Sequence, residues 1–96
     1  MFVMILEKVP TGLRGELSRW LVEPKSGIFV GDVSARIRDI LWERAIEKGR
    51  GGGVIQIWSA KTEQKFDMRM YGDTSREVVE AEGLKLIRIP EKSKQK

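Results

Sequence analysis

The sequence predicts an α+β domain in which two helices cover one face of a mixed or antiparallel sheet. Three observations carry this. Two segments place apolar residues at helical spacing, short β-patterned runs flank each of them, and 96 residues suffice for one modest core. Each helix has a single apolar stripe, which has to be buried against a common surface.

"FVMILE" (residues 2–7) is a continuous apolar run, as in a central strand buried on both faces. The next segment carries Leu13, Leu17, Trp20 and Leu21 at i, i+4, i+7 and i+8, with Thr11 as the expected N-cap and Pro24 as the stop. Residues 25–33 supply strand structure, in one piece or in two short segments meeting around Ser26–Gly27. "SARIRDILWERAIEKG" is a second helix, with Ile37, Ile40, Leu41 and Ala45 on one face and Gly49 placed to end it. Arg44 falls inside that apolar arc. "GGVIQIWSA" and "KFDMRMYG", joined by "KTEQ", form an antiparallel hairpin. "DTSREVVEAEG" is read as an irregular connection, and "LKLIRIP" as an additional C-terminal strand closed by Pro90. The order β–α–β(β)–α–β–β–β is that of a ferredoxin-like sandwich. Residues 1–90 form one domain, and 91–96 a polar, mobile tail.

Composition narrows the chemistry. Cysteine and histidine are both absent, which removes disulfides, thiolate nucleophiles, the common zinc ligands and a histidine-based triad. Chemistry would have to come from carboxylates, hydroxyls, lysines or a hard cation such as magnesium. No apolar run is long enough to span a bilayer, and the first ten residues do not read as a signal peptide, so no membrane partner and a cytoplasmic location are expected. The formal charge of +4 suits a polyanionic partner and equally an ordinary solvated surface.

Three local patterns compete for attention. "IFVGDV" (28–33) resembles the first motif of an RNA-recognition domain, which would make Phe29 a base-stacking platform. Its companion strand "KFDMRMYG" has methionines where stacking rings are needed, so Phe29 is expected in the core. "GRGGG" (49–53) follows a helix and precedes a strand, the wrong polarity for a phosphate loop, and reads as a helix stop and connector. Glu7 and Asp32 end strands and are candidate magnesium ligands for a nuclease acting on RNA or DNA. Asp32 reads first as a helix cap, and Glu7 as an ion-pair partner of a lysine or arginine.

The cations form the larger candidate set: Lys8, Arg14 and Arg19 around the first helix, Arg36 and Arg38 opening the second, and Arg76 after the hairpin. Arg14 and Arg36 lie near helix starts, where the dipole disfavours positive charge. Guanidinium groups placed there suit phosphate oxygens, which predicts backbone binding with little sequence preference.

"EKVPTGLRGELSRWLVE" followed by "GIFVGDVSARIRDILWE", with Glu7, "LRG" at 13–15, Trp20, "GDVSA" at 31–35, Trp42, Trp58 and "YG" at 71–72, resembles the CRISPR-associated adaptation proteins of the Cas-two family, type I-E subgroup. The resemblance implies a prokaryotic, ferredoxin-like homodimer in the spacer-acquisition complex. There it supports protospacer DNA, a double-stranded duplex, between two dimers of the CRISPR integrase subunit, which makes the phosphodiester bonds. It implies DNA contacts at Lys8, Arg14 and Arg76, with Arg36 and Arg38 at positions that are basic in the subgroup. Gly12 and Ser75 stand where cations would strengthen the clamp, and Arg19 or Arg69 are the available substitutes. It also implies docking through Leu84, Leu86, Ile87, Ile89 and Pro90. Relatives outside the subgroup have an aspartate proposed to bind magnesium where this chain has Glu7. Scaffolding itself requires no cofactor.

Overall fold

The computed structural model describes residues 1–72, 77–81 and 84–88, with backbone alone for 77–81 and 88. The element order is β1 (Phe2–Leu6), α1 (Thr11–Leu17), β2 (Val22–Lys25), β3 (Ile28–Gly31), α2 (Ala35–Lys48), β4 (Val54–Ser59), β5 (Phe66–Tyr71), β6 (Glu77–Ala81) and β7 (Leu84–Arg88). Five strands form one sheet in the order β2-β3-β1-β4-β5, and every pairing in it is antiparallel. Strand β3 lies between β1 and β2, so β1–α1–β2 is a split crossover, the ferredoxin-like arrangement. Strands β6 and β7 pair with each other as a separate two-stranded sheet, with Ala81 opposite Leu84.

Alternation along β1 decides which face is the core. Phe2, Met4 and Leu6 are buried, and register places Phe29 of β3 and Val54 of β4 on the same side. Leu13 and Leu17 of α1, and Leu41 and Ala45 of α2, close over them. Phe29 is fully enclosed, the core position expected of it. Gln56 is the one buried polar side chain among the described residues. It donates to the Arg38 carbonyl at 3.0 Å and accepts from Arg69 Nε at 2.9 Å, which satisfies both ends of its amide.

Neither described helix lies on the opposite face. Register aligns Val22, Val30, Val3, Ile57 and Met68 in one row across the sheet. Ile28, Ile5, Ile55 and Met70 form a second, and apart from exposed Val22 and buried Met68 these side chains are partly exposed.

Four local expectations are corrected. Helix α1 ends at Leu17, seven residues before Pro24, which lies in β2. Leu21 still reaches the core through a turn, while Trp20 is half exposed, so the apparent stripe outruns the helix. The residue before α1 is Pro10, with no side-chain cap, and Thr11 is already helical. The cap of α2 is Ser34, which accepts from the Ile37 N–H at 3.2 Å, and Asp32 lies two residues too early. Part of the segment read as irregular, Glu77–Ala81, is a strand. Arg44 is reconciled with its helix face by pairing with Glu16 of α1 at 3.7 Å. Residues 91–96, with Arg76, Ile89 and Pro90, lie outside the described residues.

Candidate nucleic-acid interface

The candidate side chains fall into two groups because β1 separates them. Its far end leads through Leu6, Glu7 and Lys8 into α1, and α2 returns to that end through Gly49–Gly53. The near end, at Phe2, adjoins Gly31 and hence the start of α2.

At the far end Glu7 has a structural task. Its Oε1 accepts the Gly53 N–H at 2.9 Å, while its own N–H donates to the Gly53 carbonyl at 3.0 Å. Lys8 is exposed, donates from Nζ to the Arg50 carbonyl at 3.4 Å, and shares an open concavity of about 400 Å³ with Val9, Pro10, Thr11 and Arg50.

Arg14 projects from α1 towards β2. Its Nε and Nη2 meet the Glu23 carboxylate at 2.9 and 3.1 Å, and Nη1 donates to the Val9 carbonyl at 3.3 Å. Glu23 also accepts the Gly27 N–H at 2.9 Å. The two-point pairing with Glu23 raises the Arg14 pKa further, and Arg14 together with the Gly27 amide holds Glu23 below the usual carboxylate range. The Arg14 charge is therefore largely matched within the fold.

Arg19, Arg36 and Arg38 belong to the near end. Arg19 precedes Trp20 and Leu21, which lie against Gly31. Arg36 is exposed in the first turn of α2, beside Asp39 and Glu43. Arg38 lies over the Trp58 ring at 4.2 Å, lining a cleft of about 260 Å³ with Met1, Asp32 and Ser59. Asp32 faces the Met1 ammonium at 2.8 Å. Glu7 and Asp32 consequently stand at opposite ends of β1, about 20 Å apart along the strand at some 3.4 Å per residue.

Sequence reasoning gave Arg69 only a substitute's part. It lies over Trp42 at 4.4 Å, meets Asp39 at 2.8 Å and bonds Gln56. Trp42 in turn meets Tyr71 edge-on at 6.4 Å. The available signal was Arg69 on the helix-facing side of β5, opposite Gln56. Arg50, also missed, lies within the glycine run. Leu86 and Ile87 of the expected docking segment are exposed, while Leu84 is partly buried. Lys85 is tied to the β4–β5 hairpin through the Gln64 side chain and Asp67, which it lowers in pKa.

Magnesium fits poorly within a single chain. Glu7 offers a single carboxylate with one oxygen already engaged, and no group of three acidic, histidine or cysteine side chains converges among the described residues.

Fold and site together define a ferredoxin-like α+β sandwich bearing separate cationic groups at the two ends of its sheet. Residues 1–86 match the family model described as "CRISPR-associated protein (Cas_Cas2CT1978)". The chain belongs to that family of CRISPR-associated proteins. No described helix is long and apolar enough to cross a membrane.

Proposed function

We propose that the protein is a homodimeric DNA-binding scaffold of CRISPR spacer acquisition, supporting protospacer DNA while an integrase subunit makes the phosphodiester bonds. The observation that carries the reading is the helix-free apolar face, whose two cross-strand rows suit a second copy of the same sheet. Five strands spaced about 4.8 Å and about 17 Å long offer roughly 400 Å² in projection. A standard interface takes about 800 Å² of accessible surface per partner, so relief of the pleated side chains has to add to it. Exposed Leu86 and Ile87 are assigned to integrase docking, with Leu84, Ile89 and Pro90.

The cations supply the duplex affinity. Lys8, Arg19 and Arg36 make no ion pair within 4 Å among the described residues, which leaves them for phosphate oxygens. Arg14, Arg38 and Arg76 complete the proposed set, Arg14 and Arg38 through their outward N–H groups.

Scaffolding needs no magnesium. Fluorescence anisotropy with unrelated duplexes tests the DNA part: similar affinities are expected, with log K falling by about 0.9 per phosphate for each tenfold rise in salt. Strong sequence preference would refute backbone binding. Sedimentation with the integrase subunit tests the bridge, two copies of this chain per complex being expected. The competing nuclease reading requires magnesium-dependent cleavage of labelled RNA or DNA that Glu7→Gln abolishes in protein that still folds.

A further inference from the structure

The glycine run at 49–53 has a use that a helix stop does not explain. Three of its glycines are required by the backbone or by packing. Gly49 ends α2 where a Cβ would lie 2.5 Å from the Ala45 carbonyl oxygen, and Gly51 has φ +76°. Gly52 lies under the Lys8 side chain, where a Cβ would come within 2.9 Å of Cγ. Between them stands Arg50, at φ +54°. A left-handed arginine is unfavourable, and glycine would fit that backbone with no penalty. The side chain is therefore a poor choice on conformational grounds, in a run where glycine is otherwise used freely.

Arg50 also lacks a counter-charge. Neither it nor Lys8 makes an ion pair among the described residues, whereas Arg14, Arg38, Arg44, Lys48, Arg69 and Lys85 all do. The nearest acid in sequence to Lys8, Glu7, points one oxygen at the Gly53 amide. Lys8 lies flat across Gly52, and its Nζ bonds the Arg50 carbonyl, so the lysine and the strained turn hold each other. Both cations and the Thr11 residue line the same open concavity.

We propose that Arg50 is a phosphate contact, forming with Lys8 a two-cation seat for one stretch of nucleic-acid backbone. Local strain kept in a folded structure is a recurrent mark of a binding site, and a guanidinium beside an ammonium matches adjacent non-bridging phosphate oxygens. The inference rests on the DNA-scaffold reading and adds to it a contact outside both helices.

The test compares wild type with Arg50→Gly, Arg50→Lys and Lys61→Ser, using a labelled duplex of arbitrary sequence and a salt titration. Arg50→Gly removes the charge while relaxing the turn, so an unchanged or higher Tm is expected. Each lost contact lowers the salt slope by about 0.9 and, at about 0.1 M salt, weakens binding roughly eightfold. Arg50→Lys retains most of the slope. Lys61→Ser, in the β4–β5 turn at the opposite end of the sheet, leaves it unchanged. Wild-type affinity and slope in Arg50→Gly overturn the seat while leaving the scaffold standing. An equal loss in Lys61→Ser overturns it too, as an effect of net charge alone. Failure of the wild type to bind any duplex at low salt removes the scaffold and the seat together.

Discussion

Replacing Ile5 with aspartate asks whether the helix-free face is an interface. Ile5 occupies the central strand, in register with Ile28 and Ile55, and is already partly buried within the single chain. Completing its burial against a second copy contributes about 0.5–1 kcal/mol, a fraction of the 1.5–3 for a whole aliphatic side chain. A carboxylate there loses that contribution and is shut away from water. Its penalty is capped near 4 kcal/mol at about pH 7, where protonating an acid of ordinary pKa near 3.9 becomes the cheaper course. About 3 kcal/mol per protomer is a conservative total, and the two-fold counts it twice. Roughly 6 kcal/mol per dimer is about four decades in Kd. Sedimentation equilibrium of the wild type should return a dimer, and that of Ile5→Asp a monomer with an unchanged far-ultraviolet spectrum. Lowering the pH from about 7 to about 5 makes protonation cheaper, so the aspartate variant should partly regain its dimer while Ile5→Asn does not. Dimers of undiminished affinity in Ile5→Asp, or a monomeric wild type, would refute the proposed face.

Three further outcomes are expected. Glu23→Gln releases the Arg14 guanidinium, so duplex binding should tighten and the salt slope steepen by up to about 0.9 per contact, while Tm falls; unchanged binding would mean that Arg14 faces no phosphate. Glu16, Glu23, Asp39 and Asp67 are all held below their ordinary pKa, chiefly by bonds from Lys48, Arg14, Arg69 and Lys85 respectively. Their stabilisation is present above the unfolded carboxylate pKa of about 4 and is lost as pH falls through the lower folded values, so calorimetric Tm should drop in that acid range and hold steady near neutrality; a Tm that rises on acidification would contradict these pairings. Arg69→Met strips Gln56 Oε1 of its donor inside the core and should cost about 1–3 kcal/mol in urea unfolding. An unaltered urea midpoint would show the bond to be dispensable.

The fold was legible because apolar residues mark the elements: the unbroken run Phe2–Leu6 marks a central strand, and Leu41 and Ala45 recur one turn apart, although which face of β1 is the more deeply buried shows only in the structure. Boundaries were less legible where two mechanisms give one pattern. Leu21 is apolar at helical spacing yet reaches the core from a turn, and Asp32 and Ser34 are both good capping residues at neighbouring positions. The strand Glu77–Ala81 was obscured by flanking glutamates around just two valines, and its partner Leu84–Arg88 supplies the pairing that decides its state. For the site, spacing alone yields a census of cations. Which of them are free depends on contacts such as Arg14 with Glu23, which join α1 to β2 and are invisible to local spacing.

The pairing edge at β2 limits how this molecule can self-associate. Pro24 offers no N–H there, and the register shifts between Val22 and Lys25, so an incoming strand would find an interrupted ladder ending in a positive charge. Side-by-side addition, which propagates without limit into filaments, is discouraged along that border. Face-to-face pairing about a two-fold axis closes on itself after two copies, so an apolar surface can be used up without seeding a polymer.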